Sequence, residues 1–122
     1  MKKLKFGGVC ITTDDAPRLA GFYKILLQEE PFIEGSHYGF GKLAVYDPGD
    51  VKVVKEKNIW LMFGDTDIDT LYERLLREIT DIEIISPPER KPWGAYSFQF
   101  YDPDGNGISV FQDREENDYA KS

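Results

Sequence analysis

The 122-residue chain is poor in cysteine and histidine, two side chains on which many nucleophilic and metal centres depend. It has one cysteine, Cys10, and one histidine, His37. A lone cysteine excludes an intrachain disulfide and fits a reducing, cytoplasmic location. A lone histidine argues against the zinc, iron or nickel sites that imidazole usually anchors. We expect Cys10 to be a small buried residue instead of a nucleophile, and His37 to be a solvated loop residue.

Long apolar runs and an excess of basic residues are also missing. The start, Met1–Lys5, runs directly into Phe6-Gly7-Gly8, so the sequence predicts no signal peptide and no membrane span. Lys and Arg number 15 against 22 Asp and Glu, a formal net charge of −7. This balance argues against nucleic acid or an anionic membrane as a partner, and it leaves room for a cationic ligand. The simplest role of the acidic surface is solubility.

Aromatic residues, in contrast, are plentiful at 14% of the chain, and 41% of all residues are hydrophobic, enough for the core of one domain. The clearest local pattern runs from Trp93 to Gln112, where two aromatic-rich segments flank Asp102-Pro103-Asp104-Gly105-Asn106. Asp-Pro favours turn entry, and Gly105 and Asn106 tolerate positive φ. We predict a β-hairpin here.

A strand followed by a helix is predicted twice. The first strand lies within residues 5–13, and its helix begins at Asp14 or Asp15 with Pro17 in the first turn. The second strand is Asn58–Gly64, with Thr66 as the helix cap and Asp69 near the positive helix end. The apolar stripes of the two helices are Leu19, Phe22, Tyr23, Leu26 and Leu27, and then Ile68, Leu71, Leu75, Leu76 and Ile79.

The remaining segments predict shorter elements. Up to three strands lie between residues 31 and 56: residues 42–46 form the clearest, and residues 51–54 form either a strand or a loop. A further strand, Ile82–Ile85, ends at Pro87-Pro88. The charged segment 113–122 is expected to fray.

The two halves repeat with a constant offset of 52 residues: Leu19 corresponds to Leu71, Tyr23 to Leu75, and Leu27 to Ile79. Each half also contains Tyr-Asp-Pro, at Tyr46 and Tyr101. We therefore predict an α+β fold, one domain over 1–122, made of two βαβββ modules at about 1–56 and about 57–112. Each helix would cover one face of a mixed, mostly antiparallel sheet, and the other face could curve around a cavity.

Three segments together resemble the vicinal oxygen chelate superfamily, which includes glyoxalase I, extradiol dioxygenases, fosfomycin resistance enzymes and bleomycin resistance proteins. They are Trp93-Gly94 with the segment Tyr101–Asn106, the segment Asp67–Leu75, and the Phe22-Tyr23 pair. The resemblance covers nearly the whole chain. It implies eight strands in a half-barrel mixed sheet around a ligand cavity, with helices on the outer face and subunits often paired as a homodimer.

Metal-using members of that superfamily hold a divalent ion through histidines and carboxylates. The resemblance places the two histidine positions at about Gly8 and Trp60, and the last carboxylate position at Ser109. The remaining carboxylate position falls at Ala44, Tyr46 or Lys52, none of which is suitable. We therefore predict no metal of the family type and no cofactor.

Strand alternation assigns residues to the two faces of each sheet. If Val9, Ile11, Leu61, Phe63, Ile108 and Val110 pack under the helices, then Cys10, Thr12, Trp60, Met62, Ser109 and Phe111 face the cavity. The predicted ligand-binding residues are Cys10, Trp60, Met62, Trp93, Gln99, Tyr101, Ser109 and Phe111. The aromatic members could form a slot for a planar or cationic molecule, or could simply fill the concave face or a dimer interface.

These observations predict a metal-independent, small-molecule-binding protein of the glyoxalase and bleomycin-resistance type, whose ligand is aromatic or cationic. The alternative is a diverged metal-dependent lyase, isomerase or dioxygenase of the same superfamily. A third hypothesis is a structural or regulatory dimer whose concave face binds protein.

Overall fold

The computed structural model describes residues 3–65 and 67–112, with only the backbone of Asp65. The described part contains eight strands and two helices, and the chain divides after Val54 into two compact units. Neither helix is long and apolar enough to cross a membrane. The predicted cap Thr66 and the predicted fraying segment 113–122 lie outside the described residues.

The first unit has the order β-α-β-β-β. Its elements are β1 (Val9–Thr12), α1 (Ala16–Leu27), β2 (Phe32–Glu34), β3 (His37–Phe40) and β4 (Leu43–Tyr46). The sheet order is β1-β4-β3-β2, with β1 parallel to β4 and the other pairs antiparallel. Asp15 begins α1, since its side chain accepts a hydrogen bond from the Arg18 amide at 3.2 Å, and Pro17 lies in the first turn as predicted.

The second unit repeats this arrangement. Its elements are β5 (Trp60–Asp65), α2 (Ile68–Glu78), β6 (Glu83–Arg90), β7 (Tyr96–Tyr101) and β8 (Gly107–Gln112). The sheet order β5-β8-β7-β6, with β5 parallel to β8, matches that of the first unit. The predicted α+β class and the two βαβββ modules are therefore confirmed. The cap of α2 is Asp67 and not the predicted Thr66: the Asp67 carboxylate accepts from the Thr70 hydroxyl at 2.7 Å and the Thr70 amide at 3.2 Å.

The 52-residue repeat is visible in the cores. Leu19 and Leu71 are both buried at equivalent helix positions, as are Tyr23 and Leu75. The stripe of α2 was predicted wrongly at Leu76, which is exposed. The repeated Tyr-Asp-Pro does not mark equivalent strands, because Tyr46 ends β4, the last strand of its unit, whereas Tyr101 ends β7.

Strand alternation predicted six residues on the buried faces: Ile11, Leu61, Ile108 and Val110 are buried, whereas Val9 and Phe63 are only partly buried. Two other expectations in the first unit were wrong. Cys10 is exposed on β1, because its side chain points away from buried Ile11 on the opposite face. His37 lies in β3 instead of a loop, with its ring 5.8 Å from that of Tyr46. Residues 51–54 form a loop and not a strand.

Strand β6 continues through the proline pair that was predicted to end it. It is an edge strand, and its pairing with β7 shifts register between Ile84 and Ser86 and again between Ser86 and Glu89. Prolines are tolerated at sheet edges and bulges because no ladder hydrogen bond is lost there. The eight residues of β6 thus run alongside the six of β7.

The predicted hairpin between β7 and β8 is present, and side chains fix its turn. One carboxylate oxygen of Asp102 accepts from the amides of Asp104 and Asn106, both at 2.9 Å. The other accepts from the Asn106 side-chain amide at 2.7 Å. Gly105 alone in this turn adopts positive φ, +84°, and a Cβ there would lie 2.7 Å from the Lys55 carbonyl oxygen. The turn sets the register that pairs Gln99 with Ser109.

Candidate functional site

The second unit contains an open, mainly apolar cavity of about 470 Å³ on the face of its sheet opposite α2. Its apolar wall consists of Trp60, Met62, Ile85 and Trp93. These side chains are between 41% and 68% exposed, although they lie side by side. A cluster of solvent-exposed apolar side chains is typical of a binding surface.

Trp60 owes its position to a glycine on the neighbouring strand. Trp60 and Gly107 are paired residues of β5 and β8. A Cβ at Gly107 would lie 2.7 to 3.0 Å from three atoms of the indole ring, so the ring rests directly on the glycine backbone. The absence of a side chain at Gly107 thus leaves room for the Trp60 ring to lie against the sheet.

Trp93 belongs to the short loop between β6 and β7. The Lys91 amide donates to the Ala95 carbonyl at 2.8 Å, and the Gly94 amide donates to the Lys91 carbonyl at 2.9 Å. Gly94 has φ +96°, and the Arg90 guanidinium donates to its carbonyl oxygen at 2.7 Å. This hydrogen-bonded loop places Trp93 at the rim of the cavity.

The polar floor of the cavity is centred on Gln99. Its amide nitrogen donates to the Ser109 hydroxyl oxygen at 3.0 Å and to the Ser97 hydroxyl oxygen at 3.1 Å. Ser109 is the residue paired with Gln99 across β7 and β8, and with Met62 across β5 and β8. Ser97 is buried and lies two residues before Gln99 on the same face of β7, so the amide is held by one hydroxyl on its own strand and one on the neighbouring strand.

Lys91 also lines the cavity, although its side chain is only 10% exposed. Its ammonium donates to Glu89 at 2.8 Å and to the Ser86 hydroxyl at 2.9 Å. The hydrogen bonds from Lys91 and Ser86, with the nearby positive charge, hold the pKa of Glu89 below its usual value. The ammonium charge is therefore paired with a carboxylate.

The structure brings five of the eight predicted ligand-binding residues to this cavity: Trp60, Met62, Trp93, Gln99 and Ser109. Tyr101 and Phe111 lie in the same sheet but do not line the cavity, and Cys10 lies on β1 of the first unit. For all eight residues, a role in ligand binding stays a prediction.

Sequence reasoning missed two lining residues, Ile85 and Lys91. Ile85 lies at the first register shift of β6, and such a shift depends on pairing with β7, which the sequence of β6 alone does not show. Lys91 has no signal in the sequence, because a sequence does not show that Glu89 and Ser86 pair its ammonium.

The positions at which the family resemblance placed metal ligands have other roles. Among residues 3–65 and 67–112, no three His, Cys, Asp or Glu side chains are grouped closely enough to hold a metal ion. Gly8 has φ +142°, and a Cβ there would clash with the Lys42 carbonyl oxygen, so no side chain fits at that position without backbone movement. Trp60 and Ser109 line the cavity.

Comparison with protein families identifies the fold. The model of the family described as "Glyoxalase-like domain" matches residues 17–115. The chain belongs to the glyoxalase-like domain family. This membership confirms the predicted vicinal oxygen chelate superfamily.

Solved structures with the same fold match this glyoxalase-like chain. A protein of unknown function from Agrobacterium tumefaciens str. C58 is 25% identical, with a TM-score of 0.79 over 93% of this chain and 98% of the other. A glyoxalase/bleomycin resistance protein/dioxygenase from Nocardioides is 24% identical, with a TM-score of 0.76 over 95% and 87%. A lactoylglutathione lyase from Agrobacterium tumefaciens is 20% identical, with a TM-score of 0.63 over 86% and 90%. The comparison with curated proteins found no match.

Proposed function

We propose that this glyoxalase-like domain binds a planar aromatic small molecule in the cavity of its second unit, without the help of a metal ion. The observation that carries the proposal is the pair of tryptophans, Trp60 and Trp93, which are 48% and 68% exposed and line one apolar cavity. Exposing a tryptophan side chain to water costs free energy, and its indole ring offers a large flat surface on which a ligand can stack. The cavity volume also lies in the range usual for small-molecule sites.

The charges around the cavity favour a neutral aromatic ligand over the cationic ligand that the sequence also allowed. Lys91 is the one ionisable side chain among the lining residues of the described cavity, and the Glu89 carboxylate at 2.8 Å already pairs its charge. No lining carboxylate would offset the charge of a bound cation, so its attraction would depend on the tryptophan rings alone.

Metal independence is supported by the donor groups present. The lining residues offer an amide, a hydroxyl and a paired ammonium in place of imidazole and carboxylate ligands. The superfamily includes both enzymes and binding proteins, so the fold does not choose between them, and the chemistry of the cavity carries the proposal.

The test is calorimetric titration of the full-length protein with three planar probes: quinolin-2-one, coumarin and the N-methylquinolinium cation. We expect a neutral probe to bind, and Trp60→Ala to weaken it roughly tenfold or more, as expected when an aromatic stacking surface is lost. Leu76→Ala, which removes an exposed apolar side chain from α2 outside the cavity, is the matched control and should bind normally.

Two results would contradict the proposal. One is the absence of binding by all three probes. The other is stoichiometric Zn, Fe, Ni or Mn in the purified protein by elemental analysis, since this would favour the metal-dependent lyase, isomerase or dioxygenase alternative.

A further inference from the structure

On the floor of the cavity, some polar atoms are hydrogen-bonded to other described residues, whereas others have no such partner. Gln99 uses its amide nitrogen for two hydrogen bonds, to the hydroxyl oxygens of Ser97 and Ser109. A primary amide has two donor hydrogens, so both are engaged. Within the described residues the Gln99 carbonyl oxygen has no protein partner.

Ser109 contributes the complementary group. Its oxygen accepts from Gln99, and the hydroxyl hydrogen has no acceptor among the described residues. Ser86, which pairs with Gln99 across β6 and β7, is already engaged, because its oxygen accepts from Lys91 and its hydroxyl donates to Glu89. The floor therefore offers a ligand one acceptor, on Gln99, and beside it one donor, on Ser109.

Resting on the proposed function, we propose that Gln99 and Ser109 select an aromatic ligand whose edge carries a hydrogen-bond donor next to an acceptor, as in a lactam or a carboxamide. The ligand donor binds the Gln99 carbonyl oxygen, and the ligand acceptor receives the Ser109 hydroxyl. The two residues are directly paired across β7 and β8, so the spacing between their polar groups is set by the sheet. The buried hydroxyl of Ser97, on the same face of β7, holds the Gln99 amide in this orientation.

A matched pair of isosteres tests the selection. Quinolin-2-one and coumarin share their shape and carbonyl group, but coumarin has a ring oxygen where quinolin-2-one has N–H. In the full-length protein we expect quinolin-2-one to bind about fivefold to tenfold more tightly, the usual net effect of one hydrogen bond. In Gln99→Met, which keeps the length but removes the carbonyl, the two affinities should agree within about twofold.

A second variant separates this selection from a general loss of structure. Ser109→Ala removes the donor to a carbonyl that both probes carry, so both should bind more weakly while their affinity ratio stays the same. Leu76→Ala should change neither the affinities nor the ratio, because Leu76 lies outside the cavity.

The outcomes distinguish the two proposals. Equal binding of both probes by the unaltered protein, or tighter binding of coumarin, overturns the assigned selection and leaves aromatic binding intact. An unchanged ratio in Gln99→Met also overturns it. Failure of every probe to bind overturns both proposals.

Discussion

Replacing Gly107 with alanine tests whether Trp60 is held by the space above that glycine. The added Cβ would lie 2.7 Å from the indole Cε3, so the ring would have to withdraw by about 0.7 Å to reach an ordinary contact of 3.4 Å. Gly107 does not have positive φ, so alanine meets no backbone penalty. Two effects on stability oppose each other: alanine in a strand gains about 0.5–1 kcal/mol over glycine, whereas overpacking costs about 1–3 kcal/mol.

Because Trp60 is half exposed, its ring can move outward, and we expect the overpacking cost to fall at the low end. The free energy of unfolding of Gly107→Ala should then change by less than about 1 kcal/mol. The displaced indole should still weaken quinolin-2-one binding by about twofold to tenfold, the usual contribution of one aromatic contact.

Urea unfolding measures the change in stability, and calorimetry measures the change in probe affinity. The fluorescence of Trp60 in a Trp93→Phe background follows the position of the indole ring. Gly39→Ala is the matched control, since Gly39 lies in β3 and a Cβ there meets its nearest atom at an ordinary 3.7 Å. If Gly107→Ala gained stability as the control does, with unchanged emission and unchanged probe affinity, Trp60 would not rest on Gly107 and the reasoning would be refuted.

Two further predictions concern charged groups. The pKa of Glu89 is lowered by Lys91 and Ser86, so its contribution to stability is present above the ordinary value of 4.5 and is lost as pH falls through the lowered pKa. The gap in melting temperature between the unaltered protein and Glu89→Gln should therefore shrink on acidification below pH 4.5, and a constant gap would count against the pairing. Asp67 caps α2 through Thr70. Asp67→Ala should lower the melting temperature and Asp67→Asn should largely preserve it, as followed by circular dichroism.

Most of the fold could be predicted from sequence because its signals are local. The turn from Asp102 to Asn106, the capping aspartate Asp15 and the 3.6-residue stripes depend only on neighbours in the chain. Strand alternation then assigned Trp60 and Ser109 to the open face. The predicted homodimer and cytoplasmic location stay predictions.

The features that sequence did not predict depend on distant partners. The bulges of β6 arise from its pairing with β7, and they determine that Ile85 lines the cavity. Leu76 matches the helical stripe yet is exposed, while Tyr72 packs edge-on against Phe98 at 5.3 Å between ring centres. The contact between Gly107 and Trp60 joins residues 47 positions apart and has no local signature.

The most direct test of aromatic binding without a metal is one calorimetric titration with quinolin-2-one, performed before and after treatment of the full-length protein with a chelator. The account predicts the same dissociation constant in both states, and a much weaker interaction in Trp60→Ala. Binding that disappears on chelation and returns with an added divalent metal would contradict it.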